Sequence, residues 1–212
     1  MEILTDNKSL PHPKTADQDG LVAIGGRLTV QRLIEAYYKG IFPWYNEDQP
    51  VLWFSPDPRM VLFPDYFKVS KSMRSLFRKK AFQVTFNTCF TEVIHACASI
   101  PRSGQEGTWI TPDMTEAYHK LYNAGLVLSV EVWNDKNLVG GLYGVYLKEK
   151  HIFCGESMFS LQSNASKYGF ISMVQALKKK GVLLIDCQVY TDHLASLGAI
   201  EIPRADFLKY LE

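Results

Sequence analysis

The chain has no CxxC pair, and its four cysteines (Cys89, Cys97, Cys154, Cys187) lie in apolar surroundings. Free cysteine there behaves as a small hydrophobe. A disulfide framework is therefore not expected, and the cysteines fit a reducing compartment. Metal-ligand spacing is missing too: His95, His119, His151 and His193 form neither HxxxH nor HxH pairs, so no metal is expected. The glycine-rich pieces AIGG and VGGLYG match neither GxxxxGK[ST] nor a GxGxxG entering a helix, which sets phosphate loops aside. No apolar run reaches membrane-span length, and the opening MEILTDNKSLPHPKTADQDG has no basic-then-apolar signal pattern. The expectation is a soluble cytoplasmic protein without a membrane partner. Charge of one sign is not in excess either: 23 basic against 22 acidic residues leave +1. A nucleic-acid partner would have to be held by a local patch.

What is present is a chain of 212 residues, long enough to bury a substantial core. Residues 1–62 read as a small N-terminal domain. It holds GLVAIGGRLT, a helix capped by Thr29 and stopped by Gly40, and the aromatic- and proline-dense GIFPWYNEDQPVLWFSPDPRMVLF, a composition suited to tight turns. Residues 63–212 read as an α/β (α+β) domain. Helices are expected near 70–80, 88–99 and from Thr111-Pro112 to Gly125, with a loop holding Pro101, Arg102 and Gly107. The strand-like runs FQVTFN, LVLSVEVW, LVGGLYGVYL and HIFCGES surround them. A long helix over about 164–180, the strand VLLIDCQ, the strand AIEIP and a terminal helix follow.

One inference concerns placement. HIFCGES and VLLIDCQ flank a single helix, so they read as a parallel β-α-β unit whose strands end at one sheet edge. That edge is the usual ligand site of open α/β sheets. Alternation puts Asp186 and Gln188 on one face and Cys187 on the other. Glu156, Ser157, Asp186 and Gln188 are then expected to converge on a cleft walled by Phe153, Met158 and Phe159. Ser157 is not in a nucleophile elbow, because Gly155-Glu156-Ser157-Met158-Phe159 lacks the last glycine. The order Ser157, Asp186, His193 mimics a hydrolase triad, but His193 reads equally as a cap or surface residue. Asp186, following Val182-Leu183-Leu184-Ile185, either caps the next helix or holds a cationic substrate. Lys71, Arg74 and Arg78 share one face of the first helix of the second domain, and Lys79 and Lys80 extend it. A solvated face and an RNA-binding face explain these equally well.

GIFPW, SPDPR, GESMFS-x₃-NASK and LIDCQ, with GLVAIGGRL, GTWI, SVEVW, LVGGLYG and HLASLGA, occur in one order from Gly20 onward. In these motifs the chain resembles the leucyl/phenylalanyl-tRNA–protein transferases. The resemblance implies a GNAT-like acyltransferase domain with a mixed sheet behind a small N-terminal domain. It implies transfer of leucine, phenylalanine and, less readily, methionine from aminoacyl-tRNA to the α-amino group of N-terminal arginine or lysine, marking the protein for degradation by the N-end rule. No cofactor is implied, since aminoacyl-tRNA is the donor, and a monomer is expected. By resemblance, Leu142, Phe153, Glu156, Met173, Leu177 and Ile185 line the aminoacyl pocket, with Ser157 beside them. Trp53 and Trp109 lie near the terminal adenosine. Asp186 and Gln188 orient or activate the amine, with Asp186 favoured as an orienter. Lys71, Arg74, Arg78, Lys79 and Lys80 meet the tRNA acceptor stem. The family commonly has two tryptophans before SPDPR, whereas Trp53 is followed here by Phe54. The alternative on the same fold is an acetyl-coenzyme A-dependent N-acetyltransferase, which LQSNASKYG does not fit for want of a pyrophosphate loop. An RNA-binding module without catalysis would leave the Glu156 and Asp186 cleft idle.

Overall fold

A computed structural model describes residues 2–100 and 109–212; the expected loop around Pro101, Arg102 and Gly107 lies outside them. The N-terminal part contains β1 (Glu2–Leu4), β2 (Leu21–Gly25), α1 (Val30–Tyr38), β3 (Phe42–Pro43) and β4 (Leu52–Phe54). Its strands form a sheet in the order β1-β2-β4-β3. Thr29 caps α1 by accepting from the Arg32 N–H, satisfying a donor that the first helical turn leaves free. Leu33, Ala36 and Tyr37 form the buried face of α1.

The chain continues through β5 (Arg59–Leu62), α2 (Lys71–Arg78), β6 (Gln83–Phe86), α3 (Phe90–Ser99), α4 (Pro112–Asn123), β7 (Val127–Asn134) and β8 (Asn137–Leu147). It closes with β9 (Ile152–Ser160), α5 (Ala165–Lys179), β10 (Leu184–Gln188), α6 (Asp192–Ser196), β11 (Ile200–Ile202) and α7 (Arg204–Leu208). These strands build a second sheet in the order β11-β5-β10-β9-β8-β7-β6. β5 therefore belongs to the large sheet, although the sequence reading kept it in the N-terminal unit. Its antiparallel pairing with β10 and β11 explains the difference. The sheet is mixed, as expected. β9 and β10 pair in parallel across α5, and every other neighbouring pair in it is antiparallel.

Helix α5 buries Tyr168, Phe170, Ile171, Met173, Val174 and Leu177 against the sheet. Gly169 permits the close approach: a Cβ there would come within 2.7 Å of Val132 Cγ2. Among the described residues no helix is long and apolar enough to cross a membrane.

Candidate active site

Two β-bulges build the site where β9 and β10 part. Their pairing runs Leu184 to Ile152, Ile185 to Phe153 and Asp186 to Cys154, and then stops. Beyond that point the register of β9 against β8 passes from Gly144↔Gly155 to Tyr143↔Ser157, leaving Glu156 as the extra residue. Such a residue is re-aimed out of the regular pleat. Gly144 is required opposite it, since a Cβ would fall 2.2 Å from the Cys154 carbonyl oxygen. On β10 the register against β5 skips Cys187, and Gln188 has φ 64°, an uncommon conformation for a side-chain-bearing residue.

The gap between the strands is a cavity of about 420 Å³. Its apolar walls include Leu142, Phe153, Met158, Phe170, Met173 and Ile185, and its polar groups include Glu156, Ser157, Gln188, Thr191 and His193. Trp44 and Trp109 line it as well. Glu156 is the centre of the polar end. The Tyr37 hydroxyl donates to Oε1 at 2.7 Å, the Tyr118 hydroxyl to Oε2 at 2.8 Å, and Gln188 Nε2 to Oε1 at 3.1 Å. The two tyrosine hydroxyls are 2.5 Å apart. Burial raises the Glu156 carboxyl to about 7, against the lowering effect of the tyrosine and glutamine donors.

Proton counting explains the arrangement. Glu156, Tyr37 and Tyr118 make three close oxygen–oxygen contacts. With Glu156 ionised, the two phenols supply protons for only two of them. With a proton on Oε2 the ring closes: Oε2–H donates to Tyr118, Tyr118 to Tyr37, and Tyr37 to Oε1. Both phenols are pushed well above their usual range, first by burial and then by the Glu156 charge, so they remain donors. The group is a carboxyl that gains or loses one proton near neutrality inside a satisfied network.

Asp186 is elsewhere. It is buried and held by Arg59 through Nε to Oδ1 at 2.8 Å and Nη2 to Oδ2 at 2.7 Å. The Arg59 guanidinium carbon sits 4.9 Å from the Phe42 ring centroid and 4.6 Å from that of Phe207, in stacking range. This corrects the expected alternation: Ile185, Cys187 and Gln188 line the cavity, and Asp186 does not. The β10 bulge breaks the two-residue period on which that reading relied. Asp186 still touches the site through one bond, accepting from the Gln188 backbone N–H at 3.0 Å.

The other sequence-derived residues divide as follows. Leu142, Phe153, Glu156, Ser157, Met173, Ile185 and Trp109 line the cavity. Leu177 lies in the same apolar cluster, behind the wall. Trp53 is fully buried under the small sheet, its indole N–H donating to the Gly25 carbonyl at 3.0 Å, and offers no face to a ligand. Trp44, in the quoted GIFPW, is 42% exposed on the cavity wall. Sequence reasoning overlooked it, together with Tyr37 and Tyr118, although AYYKGIFPW carried the signal for two of the three. On α2, Lys71, Arg74 and Arg78 are exposed, as are Lys79 and Lys80 beyond it, while Met73 is buried. Phe77 stacks on Tyr168 of α5 at 3.8 Å, fixing this basic face outward from the sheet.

Comparison with known proteins gives the same answer from two directions. Residues 61–212 match the family described as leucyl/phenylalanyl-tRNA protein transferase, and residues 26–57 match its N-terminal domain. A leucyl/phenylalanyl-tRNA–protein transferase of Christiangramia forsetii is 60% identical over 211 residues, covering 100% of both chains. One from Flavobacterium psychrophilum is 54% identical over 212 residues, again covering 100% of both. One from Syntrophus aciditrophicus is 56% identical over 93% of this chain and 82% of its own. These matches define the class: the chain is an acyltransferase-type enzyme, an aminoacyl-tRNA–protein transferase. It belongs to the leucyl/phenylalanyl-tRNA–protein transferase family.

Proposed function

We propose that this enzyme moves leucine, phenylalanine and, less readily, methionine from aminoacyl-tRNA to the α-amino group of proteins beginning with arginine or lysine. The observation that carries this reading is the cavity itself, a pocket with apolar walls at Leu142, Phe153, Met173 and Ile185 and a carboxyl at its polar end. Such walls suit unbranched, γ-branched or aromatic apolar side chains by shape and discriminate weakly among isosteres. Trp44 and Trp109 offer ring faces for the terminal base of the donor.

The chemistry needs no covalent enzyme intermediate, because the donor ester is already activated. The acceptor nitrogen attacks the ester carbonyl carbon, and the bond from that carbon to the ribose oxygen breaks. The ammonium gives one proton to ionised Glu156, which completes the ring with Tyr118 and Tyr37. A second nitrogen-bound proton ends on the ribose oxygen. Gln188 donates to Glu156 through Nε2, which leaves its amide oxygen to accept from the ammonium. Asp186 acts as an orienter: Arg59 clamps its carboxylate through two hydrogen bonds, and it fixes the Gln188 backbone. Rate then rests on attack geometry and on a base matched to neutral pH.

The test uses leucyl-tRNA and two peptides that differ only in an N-terminal arginine or alanine. Transfer to the arginine peptide alone is expected. No transfer to it, with tRNA binding demonstrated, defeats the reading.

A further inference from the structure

His193 is a cavity residue that the mechanism above leaves unused. It lies on α6, which begins just after β10, and lines the same cavity as Glu156 and Gln188. Its Nε2 is buried, and no hydrogen-bond partner for it occurs among the described residues. A neutral imidazole has one N–H and one lone pair. Leaving a buried polar nitrogen without a partner is unfavourable, so such an atom on a ligand cavity marks a place for a ligand group. Burial and the neighbouring Lys167 both lower the His193 basicity, so the ring is neutral at pH 7.

The surrounding charges decide which ligand group. Lys167 stands in the first turn of α5, where the helix end is itself positive. The acceptor brings an α-ammonium and a second cationic side chain, both disfavoured there and favoured at Glu156. The donor brings a ribose whose free hydroxyl adjoins the esterified oxygen, and a hydroxyl can donate to or accept from an imidazole nitrogen. We infer that His193 Nε2 hydrogen-bonds the 2′-hydroxyl of the donor's terminal ribose, next to the 3′ ester that is cleaved. This rests on the aminoacyl-tRNA reading and adds a ribose contact to it. The contact holds the ester against the acceptor and moves no proton.

The experiment is a two-by-two comparison. The donors are phenylalanyl-tRNA ending in adenosine or in 2′-deoxyadenosine, both charged on the 3′ oxygen, and the enzymes are wild type and His193→Ala. For the wild type, the deoxy donor should lower kcat/KM by roughly fivefold or more, the size of a lost hydrogen bond. His193→Ala should lose about the same factor with the adenosine donor and lose nothing further with the deoxy donor. His193→Gln, whose amide reaches the Nε2 position, should recover sensitivity to the 2′-hydroxyl. Should His193→Ala fail to fold, His193→Gln and His193→Phe complete the same comparison. Losses that multiply overturn the contact and leave the transferase reading intact. A wild type that cannot use the adenosine donor overturns the reading beneath both.

Discussion

Arg59 and Asp186 form a two-pronged ion pair, with donor–acceptor distances of 2.8 and 2.7 Å, in which both residues are buried. The pair links the first strand of the large sheet, β5, to the strand that carries Gln188, and two aromatic rings flank the guanidinium. Removing one partner leaves the other as an uncompensated buried charge. Asp186→Ala should therefore lower unfolding free energy by about 3–5 kcal/mol, measured by urea denaturation, besides reducing transfer. Arg59→Met combined with Asp186→Leu should recover most of that stability and little of the activity. A stability unchanged by Asp186→Ala would refute the clamp.

The proposed role of Glu156 as the base predicts a pH dependence for transfer. A base at about 7 places an acid limb near neutrality in kcat/KM, with activity rising as pH rises through it. Glu156→Gln should remove the limb along with most of the activity. The effect on stability has the opposite sign. The unfolded carboxyl ionises near 4.5 and the folded one near 7, so between those values the folded chain keeps a proton that the unfolded chain has released. Stability from this group falls as pH rises through that window, by on the order of 3 kcal/mol in total. Denaturation curves at pH 5 and 8 should converge in Glu156→Gln relative to wild type.

The tyrosines tune that limb. Each donates to Glu156 and favours its ionised form, so Tyr118→Phe should move the acid limb to higher pH. Tyr37→Phe should act in the same direction, and the two should couple, because their hydroxyls touch. Limb positions unaltered in both variants would place the proton elsewhere.

The sequence announces the β9-α5-β10 unit because period and length distinguish its strands from its helix. It announces Glu156 and Gln188 because they follow apolar runs. It does not announce the bulges. Alternation presumes a regular pleat, and at Glu156 and Cys187 one extra residue shifts everything after it to the other face. On β10 the extra residue follows Asp186 and turns Gln188 onto the cavity side, so the two do not share the face that alternation assigns them. Partnerships across long separations are equally silent: Arg59 and Asp186 are 127 positions apart, and Tyr37 and Glu156 are 119 apart. Trp53 and Trp44 look alike as letters, and only the pairing of β4 between β2 and β3 buries the first.

If the apolar wall receives the aminoacyl side chain, its shape governs the preference among donors. Met173 is fully buried on α5 and lines the cavity. Met173→Ala should enlarge the pocket and shift the ratio of phenylalanine to leucine transfer upward by roughly tenfold, the range that apolar shape selection commands. Competition between phenylalanyl- and leucyl-tRNA for one arginine peptide measures the ratio. An unchanged ratio would remove Met173 from the wall that meets the side chain.

The basic face of α2 is the last element to assign. Lys71, Arg74 and Arg78 are all exposed, and the helix is anchored from its other side by Met73 and by Phe77 on Tyr168. Their replacement by alanine should thus leave the fold intact and act on binding alone. If these residues meet tRNA phosphates, affinity falls at low salt, and the slope of log affinity against log salt becomes shallower by about 2 to 3. The effect should be equal for leucyl- and phenylalanyl-tRNA, because phosphate contacts carry no information about the aminoacyl group. Filter binding across a salt series measures both quantities. A slope identical to wild type would make this helix an ordinary solvated face and send the search for the tRNA contact to another surface.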